Sequence, residues 1–384
     1  MRITLVCCEG SLLRRSQFVN ESISISRHGK CSSFIDDLLN NTALLEKLDG
    51  WFIFDKDDDV YQLARSNLSD ALKIKILPIK KLESMGALGS KTGFISVAQS
   101  ANITIPPSVV IESPSELAAG LAKISMPILI KGERRGGGFM VRPLSSVNEL
   151  DRDPIPQDWY PLVLQKKIDG EERGVEALFR DGHLVGWLYS QQIEIPKLYG
   201  PSVARKYLPT MADDATEALE KYAHTTQAHG FANCAFMYSY EEEKHYFFEA
   251  DNRTNAWHHF GKMVELDWVD LMTSPAVDGK YPCKTGANIP KEGVRFRVRD
   301  REIEFAIYDR AYIRLISLLL RRPNDGISPF YRDKPLNRVQ NFRFASVFIF
   351  VMMKSVFNKL PTPLREKLKK KGVTKRIFAL LSQG

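Results

Sequence analysis

Lys131 closes an apolar, β-rich run and is followed within seven residues by three consecutive glycines, in the stretch PILIKGERRGGGF from Pro127 to Phe139. A strand must deliver a cation beside bare backbone, with Arg134 and Arg135 between them. Glycines can turn successive N–H groups toward an anion and let it approach closely, while a lysine supplies a point charge for phosphate oxygens. The same residues also suit a plain surface loop. The order is not the Walker pattern, in which the lysine follows the glycines.

With 384 residues the chain can bury two or three separate cores, and an apolar content of 44% argues against disorder. Cys7, Cys8, Cys31, Cys234 and Cys283 show no paired spacing of a zinc or redox motif, which fits reduced thiols in a cytoplasmic setting. The opening MRITLVCCEG resembles a first strand more than a signal peptide. Residues 354–384 hold nine Lys or Arg against one acid, Glu366, and so account for the whole net charge of +8. The main body is neutral, and nothing in its charge calls for a nucleic acid.

Residues 1–88 alternate strand and helix patterns. ITLVC, WFIF and IKILPI read as strands, and FIDDLLNNTALLEKL and DVYQLARSNL as helices, which predicts a small α/β unit with a parallel sheet. Asp57, Asp58 and Asp59 read as a solvated helix start, where carboxylates are favoured, rather than as a metal site. Further on, SKTGFISVAQS predicts a helix, PPSVVIES a strand, and SPSE the start of the helix ELAAGLAKI. LVLQ predicts a strand, and GVEALFRDGHLVGWLY a hairpin turning at Asp181-Gly182. ATEALEKYAHTTQAH is a helix, and FANCAFMYS with KHYFFEADNR an antiparallel pair, an α+β pattern. GVRFRVRD alternates apolar and arginine positions, as a charge-protected edge strand would. FAIYDRAYIRLISLLLRR follows as an amphipathic helix.

Three separated pieces point to one site. The first is Lys131 with Gly136, Gly137 and Gly138. The second is LVLQKKIDGEE, a strand whose end can hold an adenine through backbone N–H and C=O groups, with Glu172 beyond it to accept from ribose hydroxyls. The third is FFEADNR, where Glu249 and Asp251 alternate on one strand face ahead of Arg253 and can hold Mg²⁺ and a phosphoryl group together.

This order of pieces, over roughly residues 85 to 260, resembles the ATP-grasp superfamily of carboxylate-amine ligases, of the carbamoyl-phosphate-synthase-like kind. The resemblance implies an α/β pre-ATP-grasp domain (1–88), a small lid subdomain (89–160), a large subdomain (161–275) and a helical C-terminal extension with a basic tail (276–384). It assigns Lys91 and Lys131 to phosphate, Gly136 to Gly138 to a closing loop, Gln165, Lys166, Lys167 and Ile168 to the adenine, and Glu172 to the ribose. Glu249 and Asp251 fall on the magnesium ligands of a Glu-x-Asn-x-Arg motif, with Arg253 catalytic beside Lys131. Lys206, or Arg205 beside it, takes the place of a further phosphate-side cation. Two departures stand out. Ala235 occupies the place of a metal ligand on the strand before Glu249, and Asp251 replaces the motif's Asn.

The resemblance implies ATP and Mg²⁺ as cofactors and small-molecule carboxylate and amine substrates, joined with release of ADP after the carboxylate is activated as an acyl phosphate. Phosphoryl transfer needs charge neutralisation and alignment, which lysines and a closing loop provide. A nucleotide-binding protein without catalysis is the alternative that Ala235 raises. His258 and His259 read as packing or hydrogen-bonding residues rather than a base. Near the C-terminus the longest apolar run, Val347 to Met353, has seven residues, short of the ~20 that span a bilayer. With Lys367, Lys369, Lys370 and Lys371 beside Leu364, Leu368, Ile377 and Phe378, the tail fits a solvated segment, a protein contact or peripheral attachment to an anionic inner membrane face. In the last case the protein is a peripheral scaffold or acts on an intermediate of envelope glycan assembly. Oligomeric state is not readable.

Overall fold

The computed structural model describes residues 1–26, 34–133, 138, 140–277 and 281–308, with positions 333–335, 338, 339 and 344. Gly136, Gly137, most of the expected amphipathic helix and the whole basic tail lie outside the described residues. The chain divides into two compact units, Met1–Phe34 with Arg297–Gly384, and Ile35–Phe296.

In the first unit, β1 (Thr4–Cys8) pairs in parallel with β2 (Glu21–Ser26), a strand the sequence pattern does not announce. The chain then forms four short helices, α1 (Phe34–Leu39), α2 (Thr42–Lys47), α3 (Asp57–Arg65) and α4 (Asp70–Ile76). Two expected strands fail here. WFIF, residues 51–54, is irregular, and the first half of IKILPI is the last turn of α4. The Ser69 hydroxyl caps α4 by accepting from the Leu72 N–H at 3.3 Å. Leu72 and Ile76, one helical turn apart, are buried while Ile74 is exposed, so the apolar spacing is helical. The sheet is therefore two-stranded.

The second unit continues with α5 (Lys91–Ser100), β3 (Ser108–Ile111), α6 (Leu117–Leu121), β4 (Ile128–Gly132), β5 (Val141–Leu144), α7 (Glu149–Arg152) and β6 (Leu162–Lys166). Its four strands form an antiparallel sheet in the order β3-β6-β4-β5. One face carries Ile111, Ile128, Ile130, Leu144, Leu162 and Leu164, each at most 1% exposed. Burial of each contributes roughly 1.5–3 kcal/mol, and Leu117 and Leu121 of α6 cover them.

A larger sheet follows. It comprises β7 (Gly170–Arg180), β8 (His183–Glu194), β9 (Ala204–Leu208), then after α8 (Asp213–Thr226) the strands β10 (Gly230–Ser239) and β11 (Lys244–Asp251). After α9 (Trp268–Thr273) come β12 (Lys284–Thr285) and β13 (Val294–Arg297). The order is β11-β10-β7-β8-β9-β13, with β12 beside β8. Both expected hairpins are present. At the first, Asp181 (φ +50) and Gly182 (φ +80) take the left-handed conformation that a tight hairpin turn demands. β13 lies at the sheet edge, where its arginines protect it. The helix α10 (Arg299–Tyr308) starts before the expected one. Among the described residues no helix is long and apolar enough to cross a membrane.

Candidate active site

The ladder register fixes what shares a face with Glu249. Ala235 of β10 stands directly opposite Glu249, and Asn233 opposite Asp251. On β7 the same two rows continue to Gly174 and Glu176, and Glu172 stands opposite Met237. Directly opposed residues point to the same side of a sheet, so these acids converge on one face. A register shift after Ala235 inserts Phe248 into β11, and both Phe248 and Glu249 reach the cleft. Bulges commonly re-aim side chains in this way.

Against this face comes the smaller sheet. Ile130 enters the core of that sheet, so Lys131, one residue on, faces the other way. Its ammonium lies 4.6 Å from the centroid of the Phe248 ring, a cation–π contact. Burial pushes Lys131 down to about 8, against the attraction of Glu249 and Glu172 and with the repulsion of Lys91. Lys91 is the first residue of α5, whose Ser90 cap accepts from the Gly93 N–H at 2.9 Å. Its Nζ donates to the Glu133 carbonyl oxygen at 3.3 Å.

The acids respond to one another. Burial pushes Glu172 up to about 7; Arg205, Lys131 and a hydrogen bond from Gln192 pull it down, and Glu249 pushes it up. Burial also holds Asp251 well above the usual carboxylate range, with Glu249 and Asp57 adding repulsion. Arg253 bridges two of these carboxylates. Its Nε donates to Asp57 at 2.6 Å and its Nη2 to Asp251 at 2.8 Å. The cleft between the elements is lined by Asp57, Ser90, Lys91, Glu133, Glu249 and Asp251, among others.

Two lining residues escape the sequence reading. Glu133, the residue before the arginines and glycines, accepts from the Thr92 N–H at 3.1 Å, from the Thr92 hydroxyl at 3.3 Å and from the Ser90 hydroxyl. It pins the end of β4 to the start of α5, and so sets Lys131 and Lys91 side by side. The second is Asp57, a cleft residue as well as a helix start. Its place in a run of three acids is visible in sequence, but its partner Arg253 is 196 positions away.

Other expected residues sit as follows. Gly138 has φ +74, and a Cβ there would stand 2.2 Å from the Tyr199 carbonyl oxygen, so only glycine fits. Gln165 is buried and donates to the Ser108 hydroxyl at 3.0 Å. The N–H groups of Lys166 and Lys167 go to the carbonyls of Pro107 (2.8 Å) and Pro127 (3.0 Å). The Lys166 ammonium turns back to the Met126 carbonyl at 2.9 Å. Ile168 is half-buried at the end of this segment. Arg205, opposite Gln192 on β9, is on the face of Glu172 and ion-pairs with buried Glu176 at 2.5 Å; Lys206, opposite Gln191, is on the other face. Burial pushes His258 down to about 3 and His259 down to about 4, so both rings are neutral at pH 7 and bind their neighbours as packing residues.

No family model and no curated protein sequence matches the chain. Solved structures do match. An ADP complex of N5-carboxyaminoimidazole ribonucleotide synthetase aligns with a TM-score of 0.55 and 14% identity, over 81% of this chain and 79% of that one. The ADP complex of N5-carboxyaminoimidazole synthetase from Staphylococcus aureus gives 0.51 and 13% over 68% of this chain, which spans 66% of that protein's length. A biotin carboxylase complex with β,γ-ATP from Campylobacter jejuni gives 0.52 and 15%, over 73% and 68%. The chain has an ATP-grasp fold. The cleft is lined by Lys91 of α5, by Glu133 just past β4 and by Glu249 of β11, and Lys131 packs against Phe248, one of its lining residues.

Proposed function

We propose that this chain is an ADP-forming ligase that activates a small-molecule carboxylate with ATP, as an acyl phosphate, for attack by an amine to form a C–N bond. The observation that carries this reading is a cleft of an ATP-grasp fold lined by Lys91 and the Glu249–Asp251 pair, with Lys131 against its Phe248 and within the electrostatic reach of Lys91 and Glu249. Lys131 and Lys91 neutralise phosphate oxygens, Glu172 accepts from the ribose, and the segment Gln165 to Ile168 borders the adenine. Arg253 faces the transferred group.

The donor set fits magnesium. Among the described residues no group of three or more His, Cys, Asp or Glu is placed to hold a metal by itself. Two carboxylates on one strand face suit Mg²⁺, which keeps waters and takes further oxygens from substrate phosphates. Held by Glu249 and Asp251, the ion would neutralise charge on those phosphates. To test the activity, the full chain is incubated with ATP, Mg²⁺ and pools of carboxylates and amines. Release of ADP that depends on one acid and one amine is expected; no release with any pool contradicts ligation.

Ala235 favours a second reading, nucleotide binding without turnover, because the residue opposite Glu249 brings no oxygen. Calorimetric binding of ATP with no ADP release from any pool supports it. The basic tail adds a proposal of its own, attachment to anionic membrane. Co-sedimentation with phosphatidylserine vesicles by the full chain, but not by a chain ending at Leu336, is the expected result; equal binding by both rejects it.

A further inference from the structure

The start of α3 is joined to the cleft at three points. Asp57 Oδ2 accepts from Arg253 Nε at 2.6 Å. The N–H and the hydroxyl of Thr254 both donate to the Phe54 carbonyl oxygen at 3.1 Å. On the other side Gly89, next to Ser90 and Lys91, has φ +63, and a Cβ there would stand 2.8 Å from the Asp57 carbonyl oxygen. The segment is therefore wedged between Gly89, two residues ahead of α5, and the residues that follow β11. Arg253 shares its guanidinium between this wedge and Asp251, which it meets at 2.8 Å through Nη2.

We propose that Asp57 is a positioning residue of the site: it anchors Arg253, so that Asp251 can leave the guanidinium for a divalent cation while Arg253 keeps its place at the cleft. The inference rests on the reading of Glu249 and Asp251 as the magnesium pair. Oxygens of Asp251 that serve a guanidinium are less available to a metal, and a guanidinium stripped of its partners in a partly buried site is costly. Asp57 removes that conflict. With only one anchoring carboxylate, Arg253 and the cation compete for Asp251.

The test is a calorimetric titration of the full chain with a non-hydrolysable ATP analogue at graded Mg²⁺ concentrations, for wild type, Asp57→Asn, Asp57→Ser and Asp59→Asn. Asp59 lies on the same helical turn and makes no contact with Arg253, so its variant controls for lost charge. The Asp57 variants are expected to need about tenfold more Mg²⁺ than wild type to reach half of the cation's effect on affinity, with affinity in the absence of Mg²⁺ preserved. Asp59→Asn is expected to follow wild type. A loosened fold alone would weaken binding at every Mg²⁺ concentration and leave the midpoint in place. Asp57→Ser, which suits a helix start, carries the test if the Asn variant does not fold. An unchanged midpoint in the Asp57 variants overturns the inference alone. Wild type that binds the analogue with no response to Mg²⁺ overturns the reading beneath it as well.

Discussion

At the residue scale, the site is a set of charges held against their preference. Glu172 titrates near 7 in the folded chain against an ordinary 4.5, because it is buried beside Glu249. A raised folded value stabilises the fold fully below pH 4.5, and that contribution is lost as pH rises through 7. Glu172→Gln is therefore expected to raise stability at pH 8 by about 1–2 kcal/mol, allowing for the residue's partial exposure, and by almost nothing at pH 4.5. Thermal melts across that range check it, and a gain independent of pH contradicts it. Lys131 has the opposite sign. Its value is depressed to about 8 from 10.5, so its contribution is present above pH 10.5 and lost as pH falls through 8. At neutral pH both residues cost stability, as groups kept for binding commonly do.

At the element scale, strands with clear punctuation were legible and residues with distant partners were not. The β7–β8 and β10–β11 hairpins follow from alternation and from Asp181-Gly182 or an acidic turn, all local. IKILPI, read as a strand, fails because a short apolar run fits either period, and the Ser69 cap with Leu72 and Ile76 turns its first half helical. Alternation alone puts Glu249 and Asp251 on one strand face, and the apolar run before Lys131 puts that lysine on a strand. Glu133 and Asp57 could not be placed in this way, since what makes them part of the site is a contact across 41 or 196 positions. The hairpin also yields a prediction. Ala235→Asp sets a carboxylate directly opposite Glu249, which is expected to lower stability without metal by about 1 kcal/mol. The same variant is expected to tighten Mg²⁺-dependent binding of an ATP analogue about tenfold. Melts with and without Mg²⁺, with calorimetry, decide it; a variant whose stability ignores Mg²⁺ contradicts the placement.

At the scale of the whole molecule, an ATP-grasp fold persists at 10–15% identity to the synthetases and the biotin carboxylase it resembles. What persists is the fold, a four-stranded and a six-strand-wide sheet in one unit. The cleft lies within the unit Ile35–Phe296. A ligand bound in that cleft at about 100 times its Kd should stabilise the unit by roughly 2.7 kcal/mol. Scanning calorimetry is expected to show an upward shift in its transition; a shift confined to another transition would place the ligand elsewhere. The central claim is that this cleft binds nucleotide phosphate through Lys131. Calorimetric titration of wild type and Lys131→Met with a non-hydrolysable ATP analogue and Mg²⁺ tests it directly. One site per chain, weakened at least about tenfold in the variant with its melting temperature maintained or raised, is the predicted result. Equal affinity in both proteins, or no binding by wild type, would contradict it.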